Sequence, residues 1–125
     1  MPVRLIQSKW AATGWTIIIF LLMVMPSDNI PSQGLFGIPH LDKLVHMVLF
    51  AGFVWLWSES IKKNKNKQDM SGILRRIFFI SSFYGIFMEF FQYFFTDRNF
   101  DIWDIVADTI GAGIAWFLLS HKAKK

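Results

Sequence analysis

Cysteine is absent from the chain, which excludes disulfides and thiolate metal sites and leaves no redox compartment to be read. Charge is scarce as well: 18% of the 125 residues are Asp, Glu, Lys or Arg, 54% are hydrophobic, and the mean hydropathy is +0.38. A soluble domain of this length would carry more charge and would alternate apolar with polar residues. The length suits one compact unit and leaves no room for a second domain. No phosphatase, protease or transferase signature is present. A clear small-x-small cleavage site is missing too: Met23-Val-Met-Pro-Ser follows the first apolar stretch, so that stretch reads as a retained helix rather than a signal peptide.

What is there is a set of four apolar segments, at about residues 10–25, 41–60, 73–95 and 101–120. The first is short against the roughly 20 residues usually needed to cross a bilayer. Between the first two lies Pro26 to His40, rich in Pro, Gly and Ser. Glu59 and the run Lys62-Lys-Asn-Lys-Asn-Lys close the second segment, and the run reads as a solvated loop. Arg75 and Arg76 open the third, whose Phe-rich body reads as lipid-facing and helix-packing bulk. The turn Thr96-Asp-Arg-Asn-Phe leads to the fourth, and the chain ends in His121-Lys-Ala-Lys-Lys.

Charge orients these segments. Eleven of the thirteen Lys and Arg residues fall at the N-terminus, between segments two and three, or at the C-terminus, whereas seven of the nine acids fall on the other side. Basic flanks stay cytoplasmic, so the predicted fold is all-α: a polytopic bundle of four transmembrane helices with both termini inside. The net charge of +4 does not point to nucleic acid, because the basic residues flank apolar spans instead of forming a patch. The two exceptions, Lys43 and Arg98, lie among the outer acids and can pair with them.

Polar residues inside the spans form a constellation. Asp42 and His46 are four apart and share a helix face. Glu89 and Gln92 are three apart, with Tyr93 beside them and Gly85 and Ser82 continuing the stripe inward. Asp101, Asp104 and Asp108 follow i, i+3, i+7, with Gly111 and Ala115 below them, small residues that let a neighbouring helix come close. At about 1.5 Å per residue, His46, Glu89 and Asp108 each lie one to two turns in from the outer ends of their helices. A shared cleft between the second, third and fourth spans is the economical reading. Asp42, Asp101 and Asp104 also suit plain N-terminal capping. For Glu89, Asp108 and His46, which lie too deep to cap, the competing role is an interhelical hydrogen bond or an ion pair with Lys43 or Arg98.

In this order, Asp42-Lys-Leu-Val-His46 with Phe50, Glu89-x-x-Gln92, Arg98-x-x-Asp101-x-x-Asp104 and Asp108-Thr-Ile-Gly111-Ala-Gly113 resemble the VanZ-like family of small bacterial membrane proteins, over roughly Asp42 to Phe117. The family commonly carries Asn where this chain has Asp108. The resemblance implies a four-span protein of the bacterial cytoplasmic (inner) membrane and an association with resistance to the glycopeptide teicoplanin; it implies no general biochemical activity.

Three functions fit these residues. In the first, the cleft acts on an envelope lipid or a lipid-linked wall precursor. His46, oriented by Asp42, serves there as general acid or base and Glu89 as a second proton carrier, with Asp104 in the same catalytic group. Arg98, Lys43, Gln92, Asp101, Asp108 and Tyr93 form the substrate-binding surround, Arg98 gripping a phosphate or carboxylate. His46, Glu89, Asp104 and Asp108 are also candidate ligands for a divalent cation such as Mg²⁺, Ca²⁺ or Mn²⁺. In the second, the cleft only binds a lipid or lipoglycopeptide tail, or the protein works as a membrane partner. The third, a proton or ion pathway, is opposed by the end of the polar stripe at Ser82 and Asp108.

Overall fold

The structure, a computed structural model, describes residues 7–24, 41–62, 66–96 and 100–123. These residues form four helices: α1 Lys9–Met23, α2 Leu41–Lys62, α3 Lys67–Phe95 and α4 Ile102–Ala123. Three are long and apolar enough to cross a membrane, over Asp42–Lys62, Gln68–Phe95 and Ile102–Lys122, with mean hydropathies of 1.5, 1.3 and 1.5. The 15-residue α1 is apolar but shorter. At about 1.5 Å per residue it measures about 22 Å, less than the ~30 Å hydrocarbon core.

Local signals set the helix starts. Ser8 caps α1 by accepting the Trp10 N–H at 3.0 Å, and Asn66 caps α3 by accepting the Asp69 N–H at 2.8 Å. The Asn66 cap starts α3 at Lys67, so the helix already runs through the stretch before Arg75 and Arg76.

The pairing register can be read from the contacts. Lys43 meets Asp104, His46 meets Asp108, and Met47 meets Gly111, so α2 and α4 run parallel. Against them α3 runs antiparallel, with Glu89 at Asp101, Gly85 at Asp108 and Phe78 at Trp116. Met23 meets Gln92 and Thr16 meets Tyr84, so α1 follows α3. The most extensive pair is α2 with α4, and a close crossing makes it possible. A Cβ on Gly111 would overlap the Met47 backbone, so only glycine admits this approach.

The core lies where the helices converge, around Phe50, Val54, Ile77, Met88 and Ala112, joined by Ile19 and Met23 of α1. Phe50 and Phe53 pack on Tyr84 with ring centroids 5.9 and 5.6 Å apart. Three polar side chains within the apolar stretch find partners across helices. Trp15 Nε1 donates to the Leu49 carbonyl at 2.7 Å, Trp57 Nε1 to Thr16 Oγ1 at 3.0 Å, and the Tyr84 hydroxyl to the Thr16 carbonyl at 2.9 Å. Such bonds matter in lipid, where no water replaces a lost partner. The outer surface is apolar: Phe83, Phe94, Phe95, Trp103 and Phe117 are each at least 66% exposed. The α4 face of Ile102, Val106, Ile110 and Phe117 faces outward with them.

Candidate functional site

The parallel pairing of α2 and α4 carries the polar residues of both helices to one end of the bundle, where the far end of antiparallel α3 joins them. Lys43 is the hub at the mouth. Its ammonium donates to Asp42 at 2.9 Å, Asp101 at 2.6 Å and Asp104 at 2.5 Å. Asp42 and Asp101 are partly open, with 38% of each side chain exposed, whereas Asp104 has 7%. One turn deeper, His46 Nδ1 and Asp108 Oδ1 are 2.7 Å apart, and His46 Nε2 faces Asp104 Oδ2 at 3.8 Å. His46, Asp108 and Glu89 are buried. Glu89 Oε1 accepts the Asp101 backbone N–H at 2.6 Å, so a carboxylate of α3 caps the start of α4.

Four carboxylates therefore share one lysine and one histidine among the described residues, Asp42, Asp101 and Asp104 around Lys43 and Asp108 on His46, while Glu89 is held by a backbone N–H. Asp101 performs two tasks. Its Oδ1 accepts the Trp103 N–H at 2.9 Å, a cap, while its Oδ2 holds Lys43. Partial burial pushes its carboxyl up, but the Lys43 ammonium and the Trp103 N–H outweigh this and hold it below the usual carboxylate range.

A glycine makes the deep pair possible. A Cβ on Gly85 would stand 2.8 Å from Asp108 Oδ2, so α3 leaves the space into which Asp108 turns. The hydroxyls of Ser81 and Ser82, farther inward on α3, are buried without a hydrogen-bond partner in the structure.

His46, Glu89, Asp104, Asp108, Asp42, Asp101 and Lys43 thus gather at one end, but their partnerships differ from the sequence expectation in three respects. Asp108, not Asp42, holds His46: Asp42 is drawn to the neighbouring ammonium, and Asp108 reaches the ring from α4. Gln92 is buried away from the lysine hub and donates to the Met23 carbonyl at 2.5 Å, tying α3 to the end of α1. Tyr93, one residue on, turns outward, 55% exposed beside Phe94 and Phe100. Arg98 lies outside the described residues, as do Asp28, His40 and Asp97.

Among the described residues, no group of three His, Asp or Glu side chains is arranged to hold a metal ion. The four candidate ligands point instead at Lys43, at each other and at a backbone N–H. What the arrangement can do is hold and pass protons: an imidazole fixed at Nδ1 by a carboxylate presents Nε2 toward a second carboxylate. Sequence reasoning missed the roles of the Met23 carbonyl and the Asp101 N–H. Backbone acceptors and donors carry no residue signature, so neither could have been found from composition or spacing.

Comparison with known proteins bears on these features. Residues 1–122 match the family model described as VanZ/LLP1. A curated relative, "Uncharacterized protein C11E3.10" of Schizosaccharomyces pombe, is 29% identical over 110 residues, which make up 85% of this chain and 64% of the relative. The chain thus spans a little under two thirds of the curated relative it matches. No solved structure matches it.

Proposed function

The chain belongs to the VanZ/LLP1 family, and from that premise we propose that it binds or acts on the head group of a cell-envelope lipid or lipid-linked precursor at the outer face of a bacterial cytoplasmic membrane. Both termini are then cytoplasmic and the polar end faces out, an orientation that the split of basic residues supports. A contribution to teicoplanin resistance, which the resemblance implies, belongs to the same proposal.

The observation that carries this reading is the buried His46–Asp108 pair at 2.7 Å, set beneath a mouth of half-open carboxylates. Ionisable groups are expensive within spans and are generally retained for a task. A His with one nitrogen fixed is poised to exchange a proton at the other, and Asp104 stands between that nitrogen and the mouth. The expected roles are His46 as acid or base, Asp108 as its positioning partner, Asp104 and Glu89 as proton carriers, and Lys43 with Asp42 and Asp101 as the entrance. Arg98, adjoining the entrance in sequence, would meet an anionic group.

The second reading, binding without chemistry, draws support from the aromatic rim. Phe90, Tyr93, Phe94, Phe100 and Trp103 are all exposed near this end and offer a bed for an acyl or lipoglycopeptide tail.

Complementation separates the two. A deletion strain carrying wild type, Glu89→Gln or His46→Ala is profiled for lipids, wall precursors and teicoplanin susceptibility, with membrane abundance measured alongside. Chemistry at the site requires both variants to fail at normal abundance, because Gln keeps the shape of Glu and removes its ionisable proton. If tail binding is the whole function, both variants stay active and Phe90→Ala or Tyr93→Ala fails instead. Full activity of an abundant Glu89→Gln, His46→Ala double variant rules out acid–base chemistry.

A further inference from the structure

The half of the bundle away from the polar cluster carries a second feature. A groove of about 560 Å³ opens between α2 and α4, with α1 contributing one wall. Val48, Gly52, Trp55, Ile114 and Leu118 line it together with Trp15. The lining is apolar except at one end, where Lys122 stands. Trp15 is fixed there by two features. Its indole N–H donates to the Leu49 carbonyl at 2.7 Å, and Gly52 leaves room for the ring, since a Cβ at that position would lie 2.8 Å from it. The wall is therefore built into the fold and does not depend on a ligand to form.

We propose that this groove holds one acyl chain of an anionic phospholipid, with the phosphate end at Lys122. Three observations select that occupant. The groove spans Val48 to Leu56 on α2 and Ile114 to Lys122 on α4, eight steps on each, or about 12 Å along the axis. That is close to the roughly 15 Å depth of one leaflet's tails, half of a ~30 Å hydrocarbon core. Apart from Lys122 at its end and the Trp55 indole, the lining is apolar, and the Trp15 N–H is already bonded. Finally, Lys122 is exposed and forms no ion pair among the described residues, so its charge is available to a phosphate. Placing the groove in the cytoplasmic leaflet rests on the topology proposed above; its ligand chemistry does not.

The test uses the full chain in vesicles of equal phosphatidylglycerol and phosphatidylcholine with identical tails, extracted into mild detergent and weighed by native mass spectrometry. One retained lipid per chain is expected, with phosphatidylglycerol enriched about fivefold, the factor that roughly one lysine contributes near anionic head groups. Lys122→Gln, at an exposed helix end where folding is not at risk, should bring the two lipids to near parity without lowering total retention. Lys62→Gln, whose native lysine lies 3.8 Å from Glu59, should leave the enrichment unchanged. Ala51→Trp, which fills the groove, should reduce retention of both lipids at least threefold. Equal retention of the two lipids by wild type overturns the proposal, as does an enrichment that survives Lys122→Gln. A lipid-free dimer joined by crosslinks at Trp55→Cys overturns it in favour of a second copy. Because the vesicles are symmetric, the result is independent of topology, which cysteine labelling reports separately.

Discussion

A single methyl group at Gly85 tests whether the His46–Asp108 pair is as tightly set as it stands. The added Cβ would lie 2.8 Å from Asp108 Oδ2, 3.0 Å from its Cβ and 3.2 Å from its Cγ. The carboxyl cannot simply retreat, because its other oxygen is held 2.7 Å from His46 Nδ1 and the side chain is buried. It must swing away and release the ring, or α3 must move off α4. Loss of a hydrogen bond to a charged group costs about 1.5–3 kcal/mol. Alanine recovers roughly 1 kcal/mol over glycine within a helix, so Gly85→Ala should destabilise by a net ~0.5–2 kcal/mol. Gly72→Ala, in the same helix, meets nothing within 4 Å and should stabilise by about 0.5–1 kcal/mol. Unfolding in mixed micelles, followed by helicity, measures both. In an Asp108→Ala background only the methyl contact at 3.0 Å remains, and the penalty at Gly85 should fall to near zero. Equal stability of Gly85→Ala and Gly72→Ala, or a Gly85 penalty that persists without the carboxyl, would refute the reasoning.

Gly111→Ala should be far more damaging than Gly113→Ala. The first forces a methyl into the Met47 backbone and pries α2 from α4, whereas the second meets only the Phe78 ring at 3.6 Å; yield of monodisperse protein after detergent extraction reports the difference. Lys43→Met should cost at least ~1 kcal/mol at pH 7, since it strands buried Asp104 without its ammonium. It should also change the acid limb. The carboxyl of Asp101 is held below its usual value, so its stabilisation is present above the unfolded value near ~3.9 and is lost as pH falls through the lower folded one. Removing the ammonium should therefore shrink the acid-induced loss of stability below about pH 4, and an unchanged acid limb would contradict the lysine hub. For topology, impermeant thiol reagents added from outside should modify Gln33→Cys and spare Asn64→Cys; the reverse pattern would invert the protein.

The three long helices were legible because hydropathy and flanking charge act over twenty residues and do not depend on neighbours. The start of α3 was not, because the Lys62–Lys67 charge run masked the Asn66 cap and the Asp69 beside it. At the polar end, depth along each helix was readable from the distance to its outer end, and it brought His46, Glu89 and Asp108 to one level. Rotation about each helix axis was less so. Gln92 and Tyr93 stand three and four residues after Glu89, spacings that both share its face, yet Gln92 is buried and Tyr93 is out among the aromatics. Partner choice was the least readable of all. The spacing of Asp42 and His46 is a helical neighbour relation, but Lys43 lies closer to Asp42 and a parallel helix supplies Asp108 to His46. A single chain's spacing carries no information about which of two partners wins across an interface.

The two devices at the α2–α4 interface sit in register: Met47 on Gly111, then His46 on Asp108 and Lys43 on Asp104 toward the polar end. Lipid offers no hydrophobic drive for helices to associate, so close packing and interhelical polar contacts must supply it. Either device accounts for the crossing, and the glycine alone brings the backbones together. Polar glue added to it needs only matched charges, such as one lysine with one aspartate. Among the described residues the cluster departs from that economy, with four carboxylates on one lysine and one histidine and Glu89 on a backbone N–H beside them. Like charges at such spacing repel and weaken the interface they line. On the function proposed above, proton uptake at the site would relieve part of that repulsion. Glu89→Gln removes one surplus charge with little change of shape. If glue is the whole role, that variant gains stability and keeps function; if the surplus serves the site, it gains stability and loses function.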